Sequence, residues 1–252
     1  QEKQGVFAHV QDTCDFEIER LAGADFAQVC NGFLRPFELN KAPLLRAGLW
    51  QSPEGEWYLF IDSHHIIGDG MSTPLILKRL DVAFRKGCVK VDWNYYDYIC
   101  TMEEADEEAQ KKQQMAYWKE HLKELPETLI LPGDYVRPKK FDYRGKEYEL
   151  LLTEQESEAY DKFCAEKGIS GFALFLAAYG ILLSAVSGRE DFVIGAPVAG
   201  RILPQTREIC GPFINTLPLR LKPERGITVE AWLERVQTEV AGMLDHQQVS
   251  LE

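Results

Sequence analysis

Strand-like and helix-like segments alternate along the whole chain, and no segment repeats. Buried strands are predicted at 191–197 and 213–221, with an apolar helix ending at Gly188 before them and an amphipathic helix at 229–244 after them. Such alternation is typical of α/β proteins, in which helices cover the faces of a sheet. We therefore predict an α/β fold in two lobes, joined near the Pro- and Gly-rich stretch 126–140.

Local signals predict the remaining elements. Ser72 is expected to cap a helix that carries Pro74 in its first turn and stops at Gly87, and Thr153 and Glu156 form a predicted capping box. Ser170 is expected to cap the apolar helix that ends at Gly188. Glu54-Gly55 predicts a hairpin turn. Further strands are expected at 7–10, 14–18, 57–63 and 146–152, and further helices at 25–33 and 103–125.

Composition excludes several classes of function. Hydrophobic residues make up 45% of the 252 residues and charged residues 27%, as in ordinary globular proteins. The net charge of −12 argues against a nucleic-acid partner, since phosphate binding needs a basic surface. The longest apolar run, 171–186, is shorter than the ~20 residues that cross a membrane, so we interpret it as a core helix and expect no membrane partner.

The cysteines indicate a reducing compartment. None forms a CxxC pair or has a histidine at zinc-finger spacing, so we expect buried free thiols and a cytoplasmic protein. No signal peptide is recognisable at the start of the sequence. The six residues are Cys14, Cys30, Cys88, Cys100, Cys164 and Cys210.

The segment His64-His65-Ile-Ile-Gly68-Asp69-Gly70 is the strongest candidate for chemistry. Neighbouring side chains of a strand point to opposite faces, so the two histidines are not expected to share a metal ion. One imidazole should face a cavity and handle protons near neutral pH, while the other packs inward. The two glycines should allow a sharp turn that buries Asp69. Two core histidines beside a turn are the structural alternative.

This segment and five later ones resemble motifs of one family. The sequence resembles the condensation domains of nonribosomal peptide synthetases, within the chloramphenicol-acetyltransferase-like acyltransferase superfamily. The signature His-His-x-x-x-Asp-Gly is met in full, and the other similarities occur in the family's order over 37–252. These are Tyr95 to Tyr98, Tyr117-Trp118 with Leu122, Asp191 to Arg201, Gly211 to Thr216, and His246-Gln247.

The resemblance implies a two-lobed chloramphenicol-acetyltransferase-like fold, with a mixed sheet flanked by helices in each lobe and the active site between the lobes. It divides this chain into an N-terminal lobe at 1–125, a linker at 126–140 and a C-terminal lobe at 141–252. Two N-terminal family motifs have no counterpart here, and the sequence stops at the last motif. We therefore expect both lobes to be incomplete, and activity to need a longer protein.

The resemblance also implies a reaction and its partners. The amine of one carrier-bound aminoacyl thioester attacks the thioester carbonyl of a second carrier-bound substrate, and an amide forms. The expected partners are donor and acceptor carrier proteins and an adenylation domain. Their phosphopantetheine arms bring the substrates, and no metal or directly bound cofactor is implied.

Roles for individual residues follow from the same resemblance. His65 is expected to act as general base or as a hydrogen-bonding positioner of the amine, with His64 packed beside it. Buried Asp69 should anchor the loop by pairing with Arg201, and the Gly70 N–H could face the oxyanion.

Two further residues are predicted to alternate on one strand face. Asn215 would hydrogen-bond substrate and Phe213 would line a tunnel, although core packing explains Phe213 equally well.

Three other readings remain open. Epimerisation domains share the signature, but they usually have Trp after its Ser, whereas Thr73 and Pro74 follow Ser72 here. A CoA-dependent acyltransferase is the second alternative, and a non-catalytic docking or gating module is the third. Heterocyclising domains replace the histidine pair with Asp, so they are excluded.

Overall fold

A computed structural model of the chain describes residues 9–11, 13–104, 108–136, 138–140 and 145–249. Two compact units are present, Gln1–Glu107 with Arg201–Ile214, and Glu108–Gly200 with Asn215–Glu252. This division differs from the predicted one at 126–140. The segment 201–214 belongs to the first unit because it bonds to residues there, and Trp118 belongs to the core of the second. The predicted lobes and linker stay predictions.

The first unit contains a three-stranded mixed sheet. Its strands are β1 (Ile18–Arg20), β2 (Leu45–Gln51) and β3 (Trp57–Ser63). β1 is parallel to β2, and β2 is antiparallel to β3 with Leu45 opposite Ser63. The predicted hairpin turn joins β2 to β3, and Gly55 has φ 91° there, a conformation that favours glycine. The strand predicted at 57–63 is therefore confirmed.

Three helices accompany this sheet. They are α1 (Phe26–Phe33), α2 (Ser72–Lys86) and α3 (Tyr95–Glu104). Asp25 caps α1 by accepting a hydrogen bond from the Gln28 N–H, and the ring of Phe33 packs on Phe60 of β3. α2 ends at Gly87, as predicted, with φ 95° at that residue.

The second unit packs helices against a pair of antiparallel strands. Its core is built around fully buried Trp118, Trp232 and Val236. The strands pair from Phe192 opposite Leu221 to Val198 opposite Asn215. The elements are α4 (Glu108–His121), α5 (Glu154–Lys167), α6 (Gly171–Ser187), β4 (Phe192–Val198), β5 (Asn215–Leu221) and α7 (Val229–Asp245).

The predicted helix caps of the second unit are confirmed. Thr153 and Glu156 exchange both hydrogen bonds of a capping box at the start of α5. Ser170 accepts a hydrogen bond from the Ala173 N–H at the start of α6, and Gly188 ends that helix at φ 71°. Each of these signals acts within a few residues, so the local sequence suffices to read it.

Several predicted elements are wrong. Residues 14–17 and 146–152 form no strand, and in the described part of the chain β4 and β5 pair only with each other. A strand needs a neighbour for its hydrogen bonds, and 146–152 has none there. The helix predicted at 103–125 is present as α4, but it ends at His121; residues 103 and 104 belong to α3, and 105–107 lie outside the described residues. Residues 7 and 8 of the first predicted strand lie outside the described residues, and 9–10 are not strand.

Within the described residues no single helix is long and apolar enough to span a membrane. α5 and α6 pass the length and composition criteria only as a pair, with a 100° bend between them.

Candidate active site

The histidine pair follows β3 directly. His64 is still extended at φ −71° and ψ 134°, and His65 begins a short 3-10 turn to Ile67. The Nδ1 atom of His64 accepts a hydrogen bond from the Ile66 N–H at 3.1 Å, so the neutral ring carries its proton on Nε2. The half-buried ring also meets Phe37 edge to face. His64 therefore bonds within the turn, and its role beside His65 stays a prediction.

His65 lies on the open side of the same turn. Its side chain is exposed and lines a pocket of about 350 Å³, together with Asp69 and Gly70. No described residue hydrogen-bonds to its ring, so no carboxylate of this part of the chain orients the imidazole. The free ring nitrogens are accordingly available to a ligand in the pocket.

Asp69 is the anchor of the site. One carboxylate oxygen, Oδ1, accepts hydrogen bonds from the Met71 N–H, the Ser72 N–H and hydroxyl, and Nη2 of Arg201, at 2.8–3.1 Å. The other, Oδ2, accepts from the Phe213 N–H at 3.2 Å. Burial alone raises the pKa of Asp69, but these donors and the Arg201 charge together hold it below its usual value. Asp69 is therefore ionised at neutral pH.

The predicted ion pair between Asp69 and Arg201 is present, with both side chains only 3% exposed. Arg201 Nη1 also donates to the carbonyls of Thr206 and Ile209, and its guanidinium lies 4.3 Å from the centre of the Phe213 ring. The predicted lobes at 1–125 and 141–252 would separate these two residues, but both belong to the first compact unit. The guanidinium thus ties the segment 201–213 to the Asp69 loop.

Ser72 has a role that the sequence did not reveal. It was expected to cap α2, but the cap residue is Met71. The Asp69 carboxylate accepts the hydrogen bonds from the N–H groups at the start of the helix. The buried Ser72 hydroxyl instead accepts from the N–H groups of Asp69 and Gly211, at 3.2 and 3.0 Å. Its own proton can go to Asp69 Oδ1 or to the Gly211 carbonyl. Only its place just after the signature hinted at this.

The two signature glycines serve different purposes. Neither has a positive φ, so the sharp turn does not depend on left-handed backbone. A Cβ on Gly68 would lie 3.1 Å from Cβ of Ser72, which explains the glycine by close packing. A Cβ on Gly70 would meet nothing within 4 Å. Gly70 lines the pocket, and no described group accepts a hydrogen bond from its N–H.

Phe213 and Asn215 do not share a strand face, because β5 begins at Asn215. Phe213 is 7% exposed and packs against the rings of Tyr95 and Tyr98 as well as Arg201. The Asn215 amide donates to the carbonyls of Gln247 and Val249, within the second unit. Both side chains therefore have structural partners, and their roles in substrate binding stay predictions.

Tyr95 and Asp97 also have structural partners. The Tyr95 hydroxyl donates to the Pro212 carbonyl at 3.4 Å, and Asp97 accepts from the Asn94 N–H at 2.8 Å, just before α3. Gly211 is required beside Tyr95, since a Cβ there would lie 2.3 Å from the ring. The aromatic segment thus supports the loop that carries Phe213.

The cysteines are free thiols in the described structure, but none is fully buried. Cys14 and Cys88 are exposed, and the other four are partly buried. The prediction of buried thiols is therefore wrong in that respect. Among the described residues, no three His, Cys, Asp or Glu side chains are grouped so that they could hold a metal ion.

Comparison with known proteins shows the family. A family model described as Condensation domain matches residues 1–252. Surfactin synthase subunit 2 of Bacillus subtilis (strain 168) is 32% identical over 96% of this chain, and bacitracin synthase 2 of Bacillus licheniformis is 30% identical over 94%. The chain spans 7% and 9% of these two proteins.

A solved structure agrees with this result. The first condensation domain of the CDA synthetase matches with a TM-score of 0.66 and 25% identity, over 85% of this chain and 49% of that one. The predicted α/β fold of the chloramphenicol-acetyltransferase type is thereby confirmed. This chain belongs to the condensation domain family, the acyltransferase-type domain of nonribosomal peptide synthetases.

Proposed function

We propose that this chain supplies the site for amide bond formation between two carrier-bound thioesters during nonribosomal peptide synthesis. The neutral amine nitrogen attacks the donor carbonyl carbon and the C–S bond breaks. The donor's phosphopantetheine sulfur leaves as a thiol, since it takes up the proton that the amine nitrogen gives up. The observation that carries the proposal is the exposed His65 ring on a pocket beside the buried Asp69–Arg201 anchor. Family membership supports the reaction class.

His65 is assigned to the amine. A free α-amine has a pKa of about 7.7–8.0, so an appreciable fraction is neutral near pH 7 and needs no strong base. His65 also lacks a carboxylate partner among the described residues, unlike the oriented histidine of a catalytic triad. Both points indicate that His65 contributes mainly by a hydrogen bond that positions the amine, and less by abstracting a proton.

Gly70 is assigned to the developing oxyanion. Its N–H has no acceptor among the described groups, and it lines the same pocket as His65. A backbone N–H is held in place by its neighbours and needs little rearrangement as charge develops on the carbonyl oxygen. The ionised Asp69 fixes the loop that carries this group, because its carboxylate accepts hydrogen bonds from the N–H groups of Met71 and Ser72.

The substrates arrive on partners. We assign them to donor and acceptor carrier proteins, with an adenylation domain as neighbour in the same synthetase. The phosphopantetheine arm belongs to the carrier and enters as part of the substrate. The multidomain relatives support this, since this chain matches less than a tenth of their length.

The test replaces His65 in the intact synthetase module, supplied with two loaded carrier proteins. His65→Ala should lower amide formation by about 100-fold or more, because the amine is no longer held for attack. His65→Gln should retain part of the activity if hydrogen bonding dominates, since its amide oxygen accepts a hydrogen bond without binding a proton. Single-turnover product formation, followed by mass spectrometry, measures both.

His9→Ala is the matched control, because His9 is an exposed histidine outside the site. Its rate should equal that of the unmodified module. Undiminished turnover in His65→Ala would remove His65 from the mechanism. Inversion at the α-carbon without amide product would identify an epimerisation domain, and transfer from CoA would identify a CoA-dependent acyltransferase. A well-folded module with no activity towards any of these substrates would indicate a docking module.

A further inference from the structure

One wall of the pocket beside His65 has no part in the proposed chemistry. It is formed by Thr73 and Ile76, near the start of α2, and by Cys210 on the segment 201–214. We call these three residues the α2 wall. All of them belong to the first compact unit. Ile76 and Cys210 are only partly buried, so they present surface to a ligand.

Cys210 serves this wall as a neutral group. Burial raises the pKa of its thiol, and the nearby charges of Arg79 and Arg201 do not reverse this. A thiol that stays protonated is a poor nucleophile and behaves as a small hydrophobic side chain. Its Sγ lies 3.8 Å from the Ser72 carbonyl, which fixes its position against α2. We therefore assign the Cys210 thiol to packing in this wall and not to nucleophilic attack.

The α2 wall is held rigidly. Ile76 lies one turn beyond Ser72, whose N–H and hydroxyl both bond to Asp69. Cys210 precedes Gly211, whose N–H and carbonyl both meet the Ser72 hydroxyl. The two sides of the wall are thus joined through one buried hydroxyl. A wall of this kind discriminates by size, because it cannot retreat from a bulky ligand without breaking buried hydrogen bonds.

We infer that this pocket receives the apolar side chain of the amino acid whose amine attacks, and that Ile76 and Cys210 set the largest side chain it accepts. The inference rests on the proposed function. The amine nitrogen lies about 1.5 Å from the α-carbon, so a pocket sharing His65 adjoins the side chain of that residue. Its volume of about 350 Å³ leaves room for an aliphatic side chain against Ile76 and Cys210.

The test measures acceptor selectivity in the intact module, with the acceptor carrier loaded with alanine, leucine or tryptophan. Ile76→Ala should raise the rate for tryptophan relative to alanine by about 10-fold, because it enlarges the pocket. Ile76→Phe and Cys210→Phe should lower the rate for leucine relative to alanine by a similar factor. Leu77→Ala and Leu77→Phe are matched controls, since Leu77 is the next residue of α2, is exposed and does not line the pocket.

The outcomes separate the two proposals. Unmodified modules that form amide, with selectivity ratios unchanged in all three wall variants, would overturn the pocket assignment and leave the function intact. Modules that form no amide with any acceptor would overturn the function. In that case the pocket is tested by labelling of Cys210 with N-ethylmaleimide.

The labelling readout needs no turnover. A leucine thioester of N-acetylcysteamine should slow modification of Cys210, while the glycine thioester should not, because only leucine fills the wall. Peptide mass spectrometry identifies the labelled residue, and exposed Cys88 reports any general loss of reagent. Equal labelling of Cys210 with and without the leucine thioester would contradict the inference.

Discussion

The carboxylate of Asp69 and the guanidinium of Arg201 are both removed from water, and they bond to each other and to further buried groups, although the Nε atom of Arg201 has no hydrogen-bond partner. Burying a charge is costly unless pairing and hydrogen bonds offset the lost hydration. Removing one partner of such a pair destabilises strongly, because the other charge remains buried. At this scale the contacts of the signature Asp are those of a structural anchor.

Asp69→Asn should therefore lower the free energy of unfolding by about 3 kcal/mol at pH 7, the lower end for a broken buried pair, since Arg201 keeps its carbonyl partners. The pKa of Asp69 is lowered in the folded chain, so its contribution is present above the unfolded pKa of about 3.9 and is lost as pH falls through the folded value. Urea unfolding of both proteins at pH 7 and in steps below pH 4 measures this. A gap between the two proteins that is unchanged on acidification would contradict the role of this charge.

Among the described helices, α2 and α6 each have a serine at or just before the first residue, and the two serines differ in their surroundings. Ser170 caps α6 from an exposed position, where water can replace the lost bond. Ser72, in the first turn of α2, is buried, and its hydroxyl meets groups up to 139 residues away in sequence. A buried group left without a partner loses its hydration as well as its bond. Loss of the hydroxyl should therefore lower the free energy of unfolding more at Ser72 than at Ser170.

Ser72→Ala should lower the free energy of unfolding by about 2–3 kcal/mol, because the N–H groups of Asp69 and Gly211 lose their acceptor. Ser170→Ala should cost about 1 kcal/mol, as expected for an exposed cap. Chemical denaturation of the two variants under identical conditions compares them. Equal losses, or a larger loss at Ser170, would show that the Ser72 hydroxyl is not the centre of this hydrogen-bond network.

At the scale of the whole molecule, the stretch between α4 and α5 differs from the rest of the second unit. The described residues 131–136 and 145–152 have neither helix nor strand, and Tyr135 and Tyr148 are 90% and 91% exposed. Exposed backbone without regular hydrogen bonds is the preferred substrate of proteases. α4 nevertheless belongs firmly to this unit, because Trp118 is buried in its core and Gln114 bonds to Gln248.

Limited digestion with chymotrypsin should therefore cut first after Tyr135 or Tyr148, and the two pieces should elute together in gel filtration. A variant with Tyr135→Ser and Tyr148→Ser should resist the first cut. Mass spectrometry of the early products locates the site. Earlier cleavage inside α6 or α7, or pieces that elute separately, would contradict this description of the unit.

Local signals in the sequence determined much of this protein. The caps at Thr153 and Ser170, the stops at Gly87 and Gly188 and the strand at 57–63 depend on neighbours a few residues away, so they could be predicted. The signature motif likewise identified the family.

Only the tertiary structure decided the rest. The hydrogen bonds of Ser72 and the α2 wall beside His65 join segments more than 120 residues apart. The carbonyl partners of Arg201 are close in sequence, but they depend on the path of a loop. The failed strand at 146–152 belongs here too, since strand formation needs a partner that the sequence pattern does not supply. The type of a residue determines which kinds of group its side chain can bond to. Long-range packing determines which particular groups the side chain meets.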